Sequence, residues 1–488
     1  MTLTADAPPI GLRTKVLFGI GSLAIGAKTV AYSAYLLIFY NQVMGLSAAL
    51  VSAALTVSLL IDAFTNPVLG QISDNARGKW GRRHPFMYAA ALPTALFFWL
   101  MFNPPAGMSD GLTFWYIVVV ATLGRVAMNF YEVPSSALTP ELSDNYDERT
   151  ALMTWRYFFG YVGGLGTAFL ALRVFLQPTE KYPVGQLNPE GYAAYGLAGA
   201  ILIFVSMLVS TWGTHDRIKY VRQADAPVQR SAGAHFREMF ETLSHKGFLS
   251  ILGFGVLKYT AAGLYGAMAV YFGVYIWQLS SNSMSLLTID GAFAALFALV
   301  IAPWASKRFG KRNVAMVLAV FGVTVGLAPL ALRQAGLFLP LEPEGPLVLT
   351  LFSMQIVYSA AIAISQIMTS AMIADCVEDS ALRTGRHSAR VFFAASAFMQ
   401  TCTAALGVLG AGLLLTAAGF PENAKPGLVS PEAIDRLVYI YMPVSASLWF
   451  VGVSFLFFYK GDRGSHEANL ARLQAAGVEP ISPRDAAG

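Results

Sequence analysis

Charge is scarce in this chain. Asp, Glu, Lys and Arg make up 12% of its 488 residues while 56% are hydrophobic, against about a quarter charged in soluble globular proteins. So few charges cannot cover a water-exposed surface. Only two cysteines occur, Cys376 beside a polar loop and Cys402 inside an apolar run, which excludes a disulfide scaffold. The six histidines, His84, His215, His235, His245, His387 and His466, fall in polar loops without metal-ligand spacing, so no metal centre is expected. No glycine-rich loop ends in Gly-Lys-Ser/Thr: Gly78-Lys79-Trp80 and Gly310-Lys311-Arg312 both fail at the third position, which argues against an ATP-driven pump. Gly160, Gly163, Gly164 and Gly166 lie within an apolar run and suit close helix packing. The sequence calls for no cofactor and for no enzymatic chemistry.

What is abundant is long apolar sequence. Twelve runs, from Val16–Phe39 through Ala48–Ile72 and Pro85–Phe102 to Leu437–Tyr459, are each long enough to cross about 30 Å of hydrocarbon. Lys and Arg concentrate in loops of one parity, including Arg77, Lys79, Arg82, Arg83, Lys307, Arg308, Lys311 and Arg312. The positive-inside rule then places both termini in the cytoplasm. The net charge of +5 therefore reflects topology and indicates no nucleic-acid partner. The first run lacks a small-residue cleavage site and reads as its own insertion signal. Residues 213–247 join the halves, with Phe236, Met239, Phe240 and Leu243 at helical spacing suited to a membrane surface. Residues 461–488 read as a loose tail.

The sequence also repeats itself. Gly81-Arg82-Arg83 returns as Gly310-Lys311-Arg312, and Arg149-Thr150, Arg156 and Phe158-Phe159 return as Arg383-Thr384, Arg390 and Phe392-Phe393. The expectation is an all-α membrane protein of twelve transmembrane helices. They form two pseudo-symmetric six-helix bundles, residues 1–212 and 248–460, joined by a cytoplasmic loop at 213–247. Duplicated halves of this kind build secondary transporters with a substrate site near the bilayer midplane.

An ionisable group inside hydrocarbon needs a partner, water or a function. The candidates are Lys28, Asp62, Arg125, Glu132, Arg156, Lys258 and Asp290, with Asp375, Glu378 and Asp379 at a cytoplasmic helix end. Asp62, Thr65 and Asn66 stand at i, i+3 and i+4 just before Pro67, a spacing that gathers three oxygens for a cation. Asn129 of the fourth run can add a ligand. A desolvated Asp can instead take a proton. Arg125, Asn129 and Glu132 share a face of the fourth run, and Glu132 with Arg156 offers the acceptor-and-donor pair that binds vicinal hydroxyls. Lys28 and Lys258 can snorkel toward an interface, and Asp290 is placed before Gly310 much as Asp62 is before Gly81.

The run Asp62-Ala-Phe-Thr-Asn66-Pro67-Val-Leu-Gly70-Gln-Ile-Ser-Asp74, with Trp80-Gly81-Arg82-Arg83-His84-Pro85, resembles the glycoside/pentoside/hexuronide:cation symporter family of the major facilitator superfamily. Glu132-Val-Pro134, Glu148-Arg149-Thr150 to Arg156, and Ala374-Asp375-Cys-Val-Glu378-Asp379 leading to Leu382-Arg383-Thr384-Gly385-Arg386 extend the resemblance over both halves. It implies sugar uptake driven by Na⁺ or H⁺, a cation role for Asp62 and a substrate role for Glu132 and Arg156. With the buried polar residues read above, the expected cation site is Asp62, Thr65, Asn66 and Asn129 and the expected substrate site Glu132, Arg156, Lys28, Gln366 and Arg125. The resemblance also implies cytoplasmic gate contacts by Asp74, Arg82, Arg83 and the loop between the tenth and eleventh spans, so the expected gate is Asp74, Arg82, Arg83, Arg149, Asp375, Glu378, Asp379 and Arg383. Asn66 replaces a second carboxylate of the family pattern, which favours H⁺ over Na⁺, and Ser136 and Gln366 replace its sugar-stacking tryptophans. The chain is thus expected to be a monomeric, multi-pass symporter of the cytoplasmic membrane, carrying a small polar solute. The alternatives are an anionic or amphiphilic solute and a non-transporting membrane sensor.

Overall fold

A computed structural model describes residues 8–143, 145–220, 246–341, 344–384 and 389–459. The described residues are helical, without strand. The long helices are α1 (Leu12–Val43), α2 (Ala48–Asn75), α3 (His84–Met101), α4 (Asp110–Leu142), α5 (Tyr146–Leu170) and α6 (Pro189–His215). They continue as α7 (Lys246–Tyr271), α8 (Ser281–Phe309), α9 (Lys311–Gln334), α10 (Pro346–Thr384), α11 (Ala389–Ala417) and α12 (Pro431–Phe455). Eleven of the described helices are long and apolar enough to cross a membrane. The one left out is α3, which has 18 residues and opens on His84-Pro85 with Pro93 inside it. The amphipathic segment expected at 236–243 and the tail from 461 lie outside the described residues.

Polar side chains fix where the helices begin. Ser47, Ser109 and Ser430 accept from the backbone N–H groups of Leu50, Leu112 and Ala433. Asn145 accepts from Asp147 and Glu148, and Asn188 from Glu190. Each cap satisfies an N–H that the first helical turn leaves without a partner.

The chain forms two compact units, one built chiefly from residues up to 232 and the other from residues 233 onward. In the first, α2 packs on α4, and α3 on both α4 and α6. In the second, α8 packs on α10, and α9 on both α10 and α12. The crossings with the closest backbones need glycine. A Cβ on Gly26 of α1 would sit 2.0 Å from the Gly160 carbonyl of α5, and one on Gly163 would sit 2.4 Å from that of Leu23. In the second unit, a Cβ on Gly407 of α11 would sit 2.1 Å from the Thr260 carbonyl of α7. The glycine run is therefore a packing device.

Aromatic rings hold α1, α3 and α6 together: Phe39 meets Tyr192 with centroids 4.8 Å apart, and Phe98 meets Phe102 at 5.5 Å. Such pairs each add about 0.5–1.5 kcal/mol beyond the area they bury. Two long helices depart from regular α geometry. α1 widens into π turns at Ala31–Tyr35 and Phe39–Val43, and α8 breaks at Thr288-Ile289, between Ser281–Leu287 and Asp290–Phe309. Irregular turns of these kinds recur at functional sites.

Candidate functional site

In the first unit α2 brings Asp62 against α4. The carboxylate is buried, at 7% exposure. Asn129 Nδ2 donates to Asp62 Oδ1 at 2.6 Å, and the Arg125 guanidinium lies 3.9 Å from Oδ2. Arg125 in turn sits over the Tyr32 ring at 4.9 Å, and Tyr32 comes from the first π turn of α1. Arg125 Nε and the Tyr32 hydroxyl are both buried without a hydrogen-bond partner. The site thus pairs one negative with one positive charge and keeps donors unused.

The expected cradle is only partly present. Asn129 reaches Asp62, but the Thr65 hydroxyl donates at 2.9 Å to the Asp62 backbone carbonyl, not to its carboxylate. Threonine commonly bonds back along its own helix in this way. Thr65 also lines an apolar groove with Phe64, Val68 and Val126. Asn66 is half-buried and makes no hydrogen bond to Asp62. Residues at i+3 and i+4 flank the i position on opposite sides, and the packing of α2 on α4 turns only Asp62 inward.

Glu132 and Arg156 do not close into an ion pair. Arg156 Nη1 donates to Ser135 Oγ at 2.8 Å, and its guanidinium lies over the Phe18 ring at 5.4 Å. Glu132 is an electrostatic neighbour of Arg156, yet carries no hydrogen bond or ion pair among the described residues. Ser135, one turn along α4 from Glu132, takes the donor instead. Lys28 of α1 is 8% exposed and has no ion pair among the described residues.

In the second unit Lys258 of α7 is 2% exposed. Its ammonium donates to Gln366 Oε1 of α10, and Gln366 Nε2 donates to the Tyr259 hydroxyl at 2.8 Å. The ammonium also lies over the Phe254 and Tyr259 rings at 5.0 and 4.6 Å. No carboxylate approaches it among the described residues. This cluster joins a residue expected to touch substrate, Gln366, to one without an assigned role.

The gate residues pair inside each unit. Arg82 and Arg83 both bond Glu141, and Arg83 also bonds Asp74 and, at 2.8 Å, Ser73. Lys311 grips Asp375 with contacts of 2.6 and 2.9 Å. Arg149 donates to the backbone carbonyls of Ser143 and Pro140. The side chains of Glu378, Asp379 and Arg383 lie outside the described residues. Glu141 was not among the expected gate residues. It precedes Asp375 by 234 residues, the same offset that separates Arg149 from Arg383, so the repeat itself points to it.

A duplicated helical membrane fold with charges buried against hydrogen-bonding partners defines a secondary transporter of the major facilitator type. The chain belongs to the MFS/sugar transport protein family, which matches residues 17–463. It is 25% identical to an uncharacterized symporter of Synechocystis sp., with 97% of this chain and 99% of that protein aligned. It is also 25% identical to the isoprimeverose transporter of Lactiplantibacillus pentosus, over 91% and 88% of the two chains. The crystal structure of the nucleoside transporter NupG superposes with a TM-score of 0.61 at 15% identity, covering 92% and 99% of the chains, which supports the fold. The protein is a multi-pass inner-membrane transporter, a cation-coupled symporter of sugars or glycoside-like solutes.

Proposed function

We propose that the coupling ion is H⁺ and that Asp62, with Asn129, is the cation-coupling carboxylate of the first unit, where Arg125 stands as its counter-charge. The carrying observation is the composition of that cluster: one carboxylate, one guanidinium and one amide. A dehydrated Na⁺ here would meet a single negative charge already shared with Arg125, and neither Thr65 nor Asn66 turns an oxygen to it. A proton needs no such ligand set. Substrate hydroxyls are bound by Glu132, whose acceptors are open, and by Arg156, with Lys28 as an added donor. Asp74, Arg82, Arg83, Arg149, Asp375, Glu378, Asp379 and Arg383 act at the cytoplasmic gate. The helix α3, whose 18 residues rise about 27 Å, is the twelfth span, which puts both termini in the cytoplasm. The transporter works as a monomer by alternating access of its two six-helix halves.

Uptake into proteoliposomes tests this reading, with isoprimeverose and a panel of related glycosides as probes. Accumulation should follow an imposed pH gradient, collapse with a protonophore and ignore Na⁺. Strong stimulation by Na⁺ at constant pH and potential would sink the H⁺ assignment. A second reading rests on Lys258, a buried cation facing only neutral groups. A carboxylate or sulfonate on the solute would supply the missing charge, so an acidic glycoside in the same panel should then outcompete its neutral parent.

A further inference from the structure

The second unit contains a carboxylate that the first unit's site does not use. Asp290 begins the longer segment of α8, immediately after the break at Thr288-Ile289. Ser359 Oγ of α10 donates to Asp290 Oδ2, and the Gln355 amide, one turn away on α10, donates in turn to the Ser359 hydroxyl at 3.5 Å. The titratable groups facing it are phenols, Tyr265 from α7 and Tyr358 from α10, whose rings lie 5.5 Å apart. Tyr441 of α12 packs beside Tyr265. No Lys, Arg or His approaches Asp290 among the described residues.

The repeat explains the missing cation. Gly81-Arg82 corresponds to Gly310-Lys311, so Asp290, 20 residues before Gly310, matches Asp62, 19 residues before Gly81. The offset of 234 residues that carries Glu141 to Asp375 and Arg149 to Arg383 carries Arg125 to Ser359. In both units the aspartate is held by the equivalent position of the equivalent helix, α4 or α10. Where the first unit supplies a guanidinium, the second supplies a hydroxyl.

We propose that Asp290 is a proton-binding carboxylate, a second coupling site in the second unit. This inference rests on the cation-coupled symport reading. Coupling requires that both charge states be reachable. The Ser359 hydroxyl supports the ionised form of Asp290, and the lack of a counter-charge inside a membrane span makes protonation relieve a cost. Asp62, beside Arg125, would have to break an ion pair to do the same. The proton adds to a carboxylate oxygen and later leaves it, with no other bond changed. Ser359 turns an O–H donor to the carboxylate, and a single carboxylate met by a donor is a poor ligand set for Na⁺.

Infrared difference spectroscopy of the full-length protein in lipid tests this without a substrate. Lowering pH in the physiological range should raise a protonated-carboxyl C=O band. The Asp290 component of that band should be lost in Asp290→Asn, kept in Asp62→Asn, and displaced but present in Asp290→Glu. Ser359→Arg keeps Asp290 and installs the first unit's counter-charge, so it should remove the Asp290 component over the same pH range in a folded protein. Persistence of the wild-type band in both Asp290→Asn and Ser359→Arg, or its absence from the wild type, would overturn the proposal. Removal of the band by Na⁺ at fixed pH would make this a sodium site and overturn it equally. If no glycoside is exchanged by the wild type, the sugar reading fails while the infrared result still decides on Asp290.

Discussion

Asp62 and Asp290 occupy matching places in the two halves and meet opposite company. Asp62 has Asn129 at 2.6 Å and a guanidinium at 3.9 Å, whereas Asp290 has a serine hydroxyl that is itself backed by the Gln355 amide. Duplication supplies two copies of one scaffold, and a single difference at the equivalent α4 and α10 position decides whether protonation of the carboxylate competes with an ion pair or with a neutral hydroxyl. The cytoplasmic charges show the other outcome of duplication. There the pairing is retained in both halves, as Arg82 with Glu141 and Lys311 with Asp375.

The largest effect should come from breaking the shared network. Arg83 and Glu141 are 4% and 6% exposed, and removing one partner of a buried pair costs about 3–5 kcal/mol. Glu141→Ala should therefore lower the thermal midpoint clearly in detergent, and more than Asp375→Ala, whose partner Lys311 has a side chain 32% exposed. Equal, small shifts would show that the arginines find other acceptors. Next comes the Asp62 site. Asp62→Asn should abolish uphill accumulation while leaving counterflow measurable, and adding Arg125→Leu to it should recover stability by removing the stranded guanidinium. Wild-type accumulation in Asp62→Asn would take this carboxylate out of coupling.

Substrate contacts should give intermediate effects. Glu132→Gln and Arg156→Lys each remove a charged or forked hydrogen bond, worth about 1.5–3 kcal/mol, so affinity measured by counterflow should fall about tenfold or more. Unchanged affinity in both would leave these residues structural. The smallest effect is expected at the exposed Lys181–Glu190 pair, with side chains 71% and 74% exposed. Lys181→Ala should change neither melting nor uptake, because solvent screens such pairs.

The sequence carried the large pattern well. Apolar runs located the helices, and the recurrence of Arg149 and Arg156 as Arg383 and Arg390 announced two related halves. The α3 run, Pro85–Phe102, was read as a span from its apolar length, but His84, Pro85 and Pro93 dilute the hydropathy of the helix that forms there. The contact between Asn129 and Asp62 was anticipated from two polar residues in neighbouring runs, whereas the partner of Thr65 was not, because spacing fixes which residues lie near one another on a helix and tertiary packing fixes which of them turns inward. The choice of partner was the least legible feature. Arg125 was grouped with Glu132 along one face, yet it turns to Asp62, and Arg156 turns to Ser135. Those choices depend on helix rotation by a fraction of a turn. Ser359 and Glu141 could have been found by carrying the 234-residue offset through every buried charge.

The central claim, that sugar entry is coupled to protons, is tested most directly by recording pH inside proteoliposomes while a transported glycoside enters down its gradient. The lumen should acidify in step with sugar entry, without Na⁺, and the acidification should be lost in Asp62→Asn while counterflow persists. Sugar entry with no change in internal pH, or entry that requires Na⁺, would contradict it.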